Sequence, residues 1–305
     1  MIPAGLDEQR RLGPDWAGWL DDLPRLLAEL LEEWQLLRDG DQLWHGYCSL
    51  VAPVRTPSGR PAALKLTFPG DRESEHEGLA LQHWHGDGTV QLLRAHPARR
   101  ALLIERLHRE DLCSVGDLDA CVLVAGFYRR LHRPALPQLR TVTEYVDRWL
   151  DALATLPRDA PLPHRLVDQT LSLGRAFVAD PESVGRIVHG DLHYENVLAA
   201  DREPWLVIDP KPMSGDPHYE IAPMLWNRWE EMGAASIRES IRRRFHTLVD
   251  VAGLDDVRAR DWVVVRMVIN AHWTIQDAQE AGRALSDEDN EWITRCIAIV
   301  KAVQD

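Results

Sequence analysis

The segment His189-Gly190-Asp191-Leu192-His193-Tyr194-Glu195-Asn196 sets a carboxylate and a carboxamide five positions apart, just ahead of the apolar pair Val197-Leu198. A second carboxylate, Asp209, ends the apolar run Trp205-Leu206-Val207-Ile208, thirteen positions after Asn196. These residue types suit phosphoryl transfer. That reaction asks little covalent chemistry of a protein. It asks for an acceptor oxygen held in line and for the phosphate charge to be neutralised. Asp191 suits the acceptor hydroxyl, whose proton or hydrogen bond it can accept. Asn196 and Asp209 offer hard oxygen atoms of the kind that hold magnesium against the phosphates of ATP. Gly190 lets the backbone turn between His189 and Asp191 with no side chain in the way.

The pattern His-Gly-Asp-x-x-x-x-Asn followed by a strand-terminal Asp resembles the aminoglycoside phosphotransferase family of kinase-like enzymes. Residues 187–226 are most similar to its streptomycin 6-kinase and hydroxyurea kinase subgroup. There Asp209-Pro210-Lys211-Pro212 stands in place of Asp-Phe-Gly, followed by Gly215-Asp216-Pro217-x-Tyr219-Glu220-x-Ala222. The resemblance implies an α+β, two-lobed protein-kinase-like fold. Residues 1–107 would form a small β-rich nucleotide-binding lobe with one helix of the αC type, and residues 108–305 a larger, mostly helical lobe for catalysis and acceptor binding. It implies ATP and magnesium as cofactors, and a small hydroxyl compound as acceptor. A streptomycin-type aminoglycoside leads, in the context of antibiotic resistance; hydroxyurea or another small metabolite is the alternative. It also keeps Lys211 near the metal and phosphates, as a catalytic cation. Two features depart from the pattern. Position 220 carries Glu where many members carry Asp. The loop Trp44-His45-Gly46-Tyr47-Cys48-Ser49, with Ser49 as a candidate nucleotide contact, has a single glycine.

Lysine usage supports the phosphate site independently. Of 35 basic residues only Lys65, Lys211 and Lys301 are lysine. A lysine that persists among so many arginines is a candidate for a role that needs a compact ammonium. Lys65 lies in the apolar strand Pro61-Ala62-Ala63-Leu64-Lys65-Leu66, matching the Val-Ala-Ile-Lys strand whose lysine contacts the α- and β-phosphates of ATP. Such an ammonium needs a carboxylate to fix it. The segment Glu73–Trp84 reads as a helix, and Glu77 shares a face with Leu81 and Trp84, four and seven positions on. Glu77 is therefore the expected partner, with Glu73 second. The extended stretch through Glu105 and Leu107 is the natural hinge, whose backbone would meet the edge of the adenine ring.

The elements that must carry these groups follow from periodicity. An opening helix is expected over 22–37 with Pro24 in its first turn. Strands are expected over 41–55, 61–68, 89–95 and 101–107, and helices over 115–131, 142–156, 163–178, 217–232, 237–251, 259–280 and 287–303. For acceptor binding, Asp191, Asp216 and Glu220 are the candidates, with Asp277 and Glu280 as further acids and Trp226 and Trp273 as apolar floors.

A net charge of −13 argues against nucleic acid and anionic membrane as partners, and is compatible with a cationic acceptor. There is no run of eighteen apolar residues and no basic, apolar leader at the start. The four cysteines, at 48, 113, 121 and 296, show no metal-ligand spacing. A cytoplasmic enzyme with reduced thiols is the expectation. Two other classes remain at this point. His189-x-Asp191-x-His193 could be metal-ligand spacing for a hydrolase. A nucleotide-binding module without catalysis is the other, although it would usually lack the acid, the lysine or a metal ligand, all of which are present here.

Overall fold

A computed structural model describes residues 2–233 and 237–304. Its contacts divide the chain into two units, Met1–Arg109 with Leu198–Lys211, and Glu110–Val197 with Pro212–Asp305. The return of Leu198–Lys211 to the first unit differs from the simple division at residue 107 expected from the sequence. Backbone bonds show why. Val207 donates to Gly88 and accepts from Val90, and His108 donates to Ala199.

The first unit starts with a short helix α1 (Ala4–Asp7) and the long α2 (Pro14–Glu33). Strands β1 (Leu37–Arg38), β2 (Trp44–His45), β3 (Ser49–Arg55) and β4 (Pro61–Thr67) precede α3 (Glu77–Trp84), β5 (Leu92–His96) and β6 (Ala101–Glu105). The antiparallel sheet runs β1-β3-β4-β6-β5, with β2 paired to β3. The opening helix starts at Pro14, not near residue 22. Pro14 occupies the first turn, where its missing N–H costs nothing, and Pro24 lies inside the helix. Leu20, Leu23, Leu27 and Leu30 bury their stripe against Ala62, Leu64 and Leu66 of β4 and Leu50, Ala52 and Val54 of β3.

Because side chains alternate along a strand, Ala63, Lys65 and Thr67 face the other way. On that face Lys65 sits in register between Val51 of β3 and Leu102 of β6. Helix α3 packs there: a Cβ added at Gly78 would stand 2.9 Å from Leu102. That close approach carries the neighbouring Glu77 onto the lysine. The helix expected from Glu73 begins only at Glu77, since 73–76 form turns.

In the second unit, α4 (Asp117–Leu131), α5 (Val142–Ala154) and α6 (His164–Ala179) lead to a small sheet of β7 (Arg186–Val188) and β10 (Met213–Gly215). Between these in the sequence lie the loop 189–196 and the hairpin of β8 (Val197–Ala199) and β9 (Trp205–Val207), which from Leu198 onward belongs to the first unit. The helix expected over 217–232 is broken into a 3-10 turn (Pro217–Ile221), the five-residue α7 (Ala222–Trp226) and a second 3-10 turn (Trp229–Met232). Helices α8 (Ile237–Ala252), α9 (Asp256–Glu280) and α10 (Asp287–Gln304) complete it. Helix α9 is capped at its N-terminus by Asp255, whose carboxylate accepts from the Arg258 N–H at 2.8 Å. Its Trp262 stacks on Phe177 at 4.1 Å and meets Tyr219 edge-on.

The β7–β10 pair is clamped by α5. A Cβ at Gly215 would stand 2.6 Å from Val142 and 3.0 Å from Val188, both stiff β-branched side chains. Gly215→Ala is therefore expected to lower stability by about 1–3 kcal/mol through overpacking, read as a drop in the urea midpoint at unchanged slope. A midpoint equal to or above wild type would show that the clamp has slack.

Candidate functional site

In the first unit the sheet and α3 bring three of the expected residues together. The Lys65 ammonium donates to both carboxylate oxygens of Glu77 at 2.7 Å, and to Asp209 Oδ1 at 2.5 Å. Lys65 and Glu77 are 5 % and 2 % exposed, whereas the Asp209 side chain keeps 31 % of its surface. Burial pulls the ammonium towards neutrality, but the carboxylates of Asp209 and Glu77 outweigh it and hold Lys65 above its ordinary value. Asp209 sits at φ +55°, in the left-handed region where a non-glycine residue is strained. Strain of this kind collects where a side chain must be aimed at a ligand.

Lys211 adds a second cation. Its ammonium lies 3.4 Å from Asp209 and 3.7 Å from Asp71. Burial opposes its charge, yet Asp209 and the groups around it raise its pKa. Asp71 had no part in the expectations from sequence. It accepts from Cys48 Sγ at 2.9 Å and Ser74 Oγ at 2.5 Å, and its pKa is lowered: burial alone would raise it, but Lys211 and these donors win. The Cys48 thiol is pushed up to about 12, mainly by burial, so it stays protonated as a donor. A lone Asp in a Pro-Gly-Asp turn carries no signal that distinguishes it from an ordinary turn residue.

The remaining candidates of this unit are placed less pointedly. Ser49 opens β3, buried, paired with Thr67. The Glu105 carboxylate is taken up by the Gln91 N–H and Arg202. Leu107 lines a surface cavity of about 430 Å³ with Trp44, Arg106 and Asp39.

In the second unit the loop after β7 is held by buried charges. Glu220, fully buried, accepts from the His189 N–H at 2.9 Å and the Gly190 N–H at 2.8 Å. Burial would raise its pKa, but the imidazole of His132 at 3.9 Å and these backbone donors bring it below its usual value. From the other side Arg266 donates to the Gly190 carbonyl at 2.5 Å and to the Tyr219 carbonyl at 3.0 Å. Gly190 itself has φ +84°, a conformation that only glycine adopts freely. The far end of the loop is tied by Tyr194, whose hydroxyl donates to Asp117 at 2.6 Å, while Arg244 donates to the other Asp117 oxygen at 2.8 Å.

Within this frame the Asp191 side chain keeps 35 % of its surface, with His193 Nε2 3.9 Å from its carboxylate. Both side-chain hydrogen bonds of Asn196 use its amide nitrogen, to the Asp191 carbonyl at 2.8 Å and to His193 Nε2 at 3.2 Å. The amide oxygen is thus the end left for a cation. His189 Nδ1 accepts from the Asp191 N–H at 3.2 Å, which gives it a structural place in the turn. Among the described residues, no cluster of three or more His, Cys, Asp or Glu is arranged to hold a metal.

Two acceptor-binding expectations need correction. Glu220 spends both oxygens on backbone and has no exposed surface. Asp216, 1 % exposed, accepts from Trp262 Nε1 at 2.7 Å, Arg258 Nε at 2.5 Å and the His218 N–H and ring. Both are scaffolding acids: an isolated carboxylate is costly to bury, and these are buried because each is surrounded by donors. Arg266, missed in the sequence, did leave a trace there. It is the one charged residue in the apolar run Trp262–Ile269, where a cation must find acceptors.

The comparisons with known proteins place the chain in a family. The model of the aminoglycoside/hydroxyurea antibiotic resistance kinase family matches residues 33–278. A streptomycin 6-kinase of Streptomyces glaucescens is 38 % identical over 290 residues, covering 92 % of each chain. A hydroxyurea phosphotransferase of Kitasatospora aureofaciens is 39 % identical, over 92 % of this chain and 82 % of the relative. Among solved structures, an aminoglycoside phosphotransferase mutant in complex with AMP-PNP and hygromycin B aligns with a TM-score of 0.61 at 19 % identity, covering 92 % of this chain and 98 % of the other. The fold is protein-kinase-like, with a small sheet-bearing unit and a helical one. No described helix is long and apolar enough to cross a membrane. The chain is an ATP-dependent phosphotransferase acting on hydroxyl groups, and it belongs to the aminoglycoside/hydroxyurea antibiotic resistance kinase family.

Proposed function

We propose that the enzyme transfers the γ-phosphoryl group of magnesium-ATP to a hydroxyl of a streptomycin-type aminoglycoside. The observation that carries this is the similarity to streptomycin 6-kinase along 92 % of both chains. Hydroxyurea is the second reading, favoured by equal identity to the Kitasatospora enzyme. An ADP-release assay of both compounds decides: turnover of streptomycin supports the first, and turnover of hydroxyurea alone replaces it with the second.

In this reading Asp191 accepts the hydrogen bond, and then the proton, of the attacking hydroxyl. The hydroxyl oxygen bonds to the γ-phosphorus as the bridge to the β-phosphate breaks, giving the phosphate ester and ADP. Lys65 binds the α- and β-phosphates and Glu77 positions it. Lys211 offsets charge on the transferring group. Ser49 and the backbone at Glu105 and Leu107 serve the nucleotide. Magnesium, when bound, neutralises phosphate charge. Asp209 is an oxygen donor suited to it in the first unit, and Asn196, through its amide oxygen, in the second.

Asp191→Asn is expected to lower kcat roughly 100- to 10,000-fold, the usual worth of a positioned base, with the KM for ATP nearly kept; a kcat within a few-fold of wild type would remove Asp191 from the chemistry. Lys65→Met should raise the KM for ATP and also destabilise the fold by about 3–5 kcal/mol, because Glu77 is left as an unpaired buried charge. Adding Glu77→Gln should recover much of that stability but not ATP use. Recovery of both would make the pair structural only. Asp209→Asn should shift the magnesium dependence of the rate to higher concentration, and an unchanged magnesium titration would exclude Asp209 as a ligand.

A further inference from the structure

Of the two lysines at the Asp209 carboxylate, one is fully tied and the other is not. Lys65 has three N–H donors and meets three acceptor oxygens, two on Glu77 at 2.7 Å and one on Asp209 at 2.5 Å. Lys211 reaches the same Asp209 oxygen, Oδ1, only at 3.4 Å, and Asp71 Oδ2 at 3.7 Å. Its side chain is 14 % exposed and ends a flexible four-carbon stem. The surrounding charges, rather than short hydrogen bonds, set where its ammonium rests. Two ammoniums on one oxygen repel each other, so Asp209 alone would hold Lys211 poorly. A second anion is needed.

Asp71 is built to be that anion. Its Oδ2 accepts from Ser74 Oγ at 2.5 Å and Cys48 Sγ at 2.9 Å, and its Oδ1 from the Glu73 N–H at 3.0 Å. Behind these stands Arg100, which donates to the Asp71 carbonyl at 2.5 Å and to Ser74 Oγ at 2.9 Å. Ser74 thus accepts from a cation while it donates to the carboxylate, an order in which each bond strengthens the other. The donors come from the β2–β3 loop, the turn ahead of α3 and the turn between β5 and β6. An ordinary turn aspartate needs no more than a backbone N–H two residues on, here that of Glu73. The further donors fix a largely buried carboxylate, 13 % exposed and held in its charged form, beside Lys211.

We propose that Asp71 is the positioning residue for Lys211, a fixed anion that keeps a movable cation where it can meet the transferring phosphoryl group. The inference rests on the part given to Lys211 in the reaction above. Asp71 touches no reactant and acts through the lysine.

The chain has three lysines, which makes the test direct. Brief acetylation of the full-length enzyme with an amine-reactive ester, read by peptide mass spectrometry, measures Lys211 against the exposed Lys301. Only a neutral amine reacts, and a nearby carboxylate favours the charged one. Asp71→Asn keeps the shape and removes the charge, so labelling of Lys211 relative to Lys301 should rise about tenfold or more. With streptomycin as acceptor, kcat should fall about 10- to 100-fold, the usual cost of losing a supporting partner, at nearly unchanged KM for streptomycin. In a Lys211→Met background the same substitution should cost little more, because its effect passes through the lysine. Ser74→Ala loosens Asp71 without removing its charge. It should act more weakly in the same direction, and it decides the matter if Asp71→Asn does not fold. Wild-type labelling or wild-type kcat in Asp71→Asn overturns the proposal and leaves the reaction standing. So does a loss of kcat that persists undiminished in the Lys211→Met background. Wild-type kcat in Lys211→Met removes the lysine from the reaction and the proposal with it. Turnover of hydroxyurea and not of streptomycin overturns the acceptor reading alone, and the same measurements on Asp71 are then made with hydroxyurea.

Discussion

Three charges meet at the Lys65 ammonium, and the first unit is organised around that meeting. Removing an ammonium and a carboxylate from water costs several kcal/mol per ion. The cost is offset only if both carboxylate oxygens of Glu77 are engaged, as they are at 2.7 Å. This explains why α3 must approach the sheet closely enough to exclude a Cβ at Gly78. It explains too why Lys65 lies on a central strand with neighbours in register on both sides. Buried ion pairs are poor stabilisers compared with apolar residues of similar volume. The value of this one lies in fixing a cation whose remaining contact, Asp209, keeps exposed surface and a strained backbone.

The second unit solves a different problem with the same means. A loop that presents Asp191 to solvent cannot hydrogen-bond its own backbone as a helix or strand would, and buried backbone groups left unpaired are costly. Glu220 and Arg266 supply the missing partners from opposite sides, one taking N–H groups, the other the Gly190 carbonyl. A carboxylate and a guanidinium are strong enough hydrogen-bonding partners to hold a single conformation. The exposed acid is then held by two buried groups on opposite sides of its loop.

This division of labour accounts for what was legible in the sequence. Lys65 and Glu77 could be found because each carries two independent marks: the lysine by its rarity and its apolar strand, the glutamate by its position on a helical face with Leu81 and Trp84. Spacing alone marks Asp191, Asn196 and Asp209 as candidates. Asp216 and Glu220 were assigned to substrate because an acid in a loop has the same letters whether it points outward or inward. Only the donors around it decide, and those come from elements as distant in sequence as Arg258, Trp262 and Gly190. The helix boundaries failed for related reasons. Pro24 resembles a first-turn proline until Pro14 is seen to occupy that place. The apolar content of 217–232 resembles one helix until burial of Tyr219, Glu220 and Ile221 in successive positions forces a tighter turn.

The cost of buried polarity also separates the kinds of site. Around Lys65 and around the Asp191 loop, full charges are buried and paired, which suits sites that must be rigid before a ligand arrives. At the end of α9 the buried groups are neutral and left without partners. An unpaired neutral group costs far less to bury than an unpaired charge, so a fold can tolerate it. The same cost explains why the charges of Lys65, Glu77, Glu220 and Arg266 are each met by partners, while these neutral atoms are left without them.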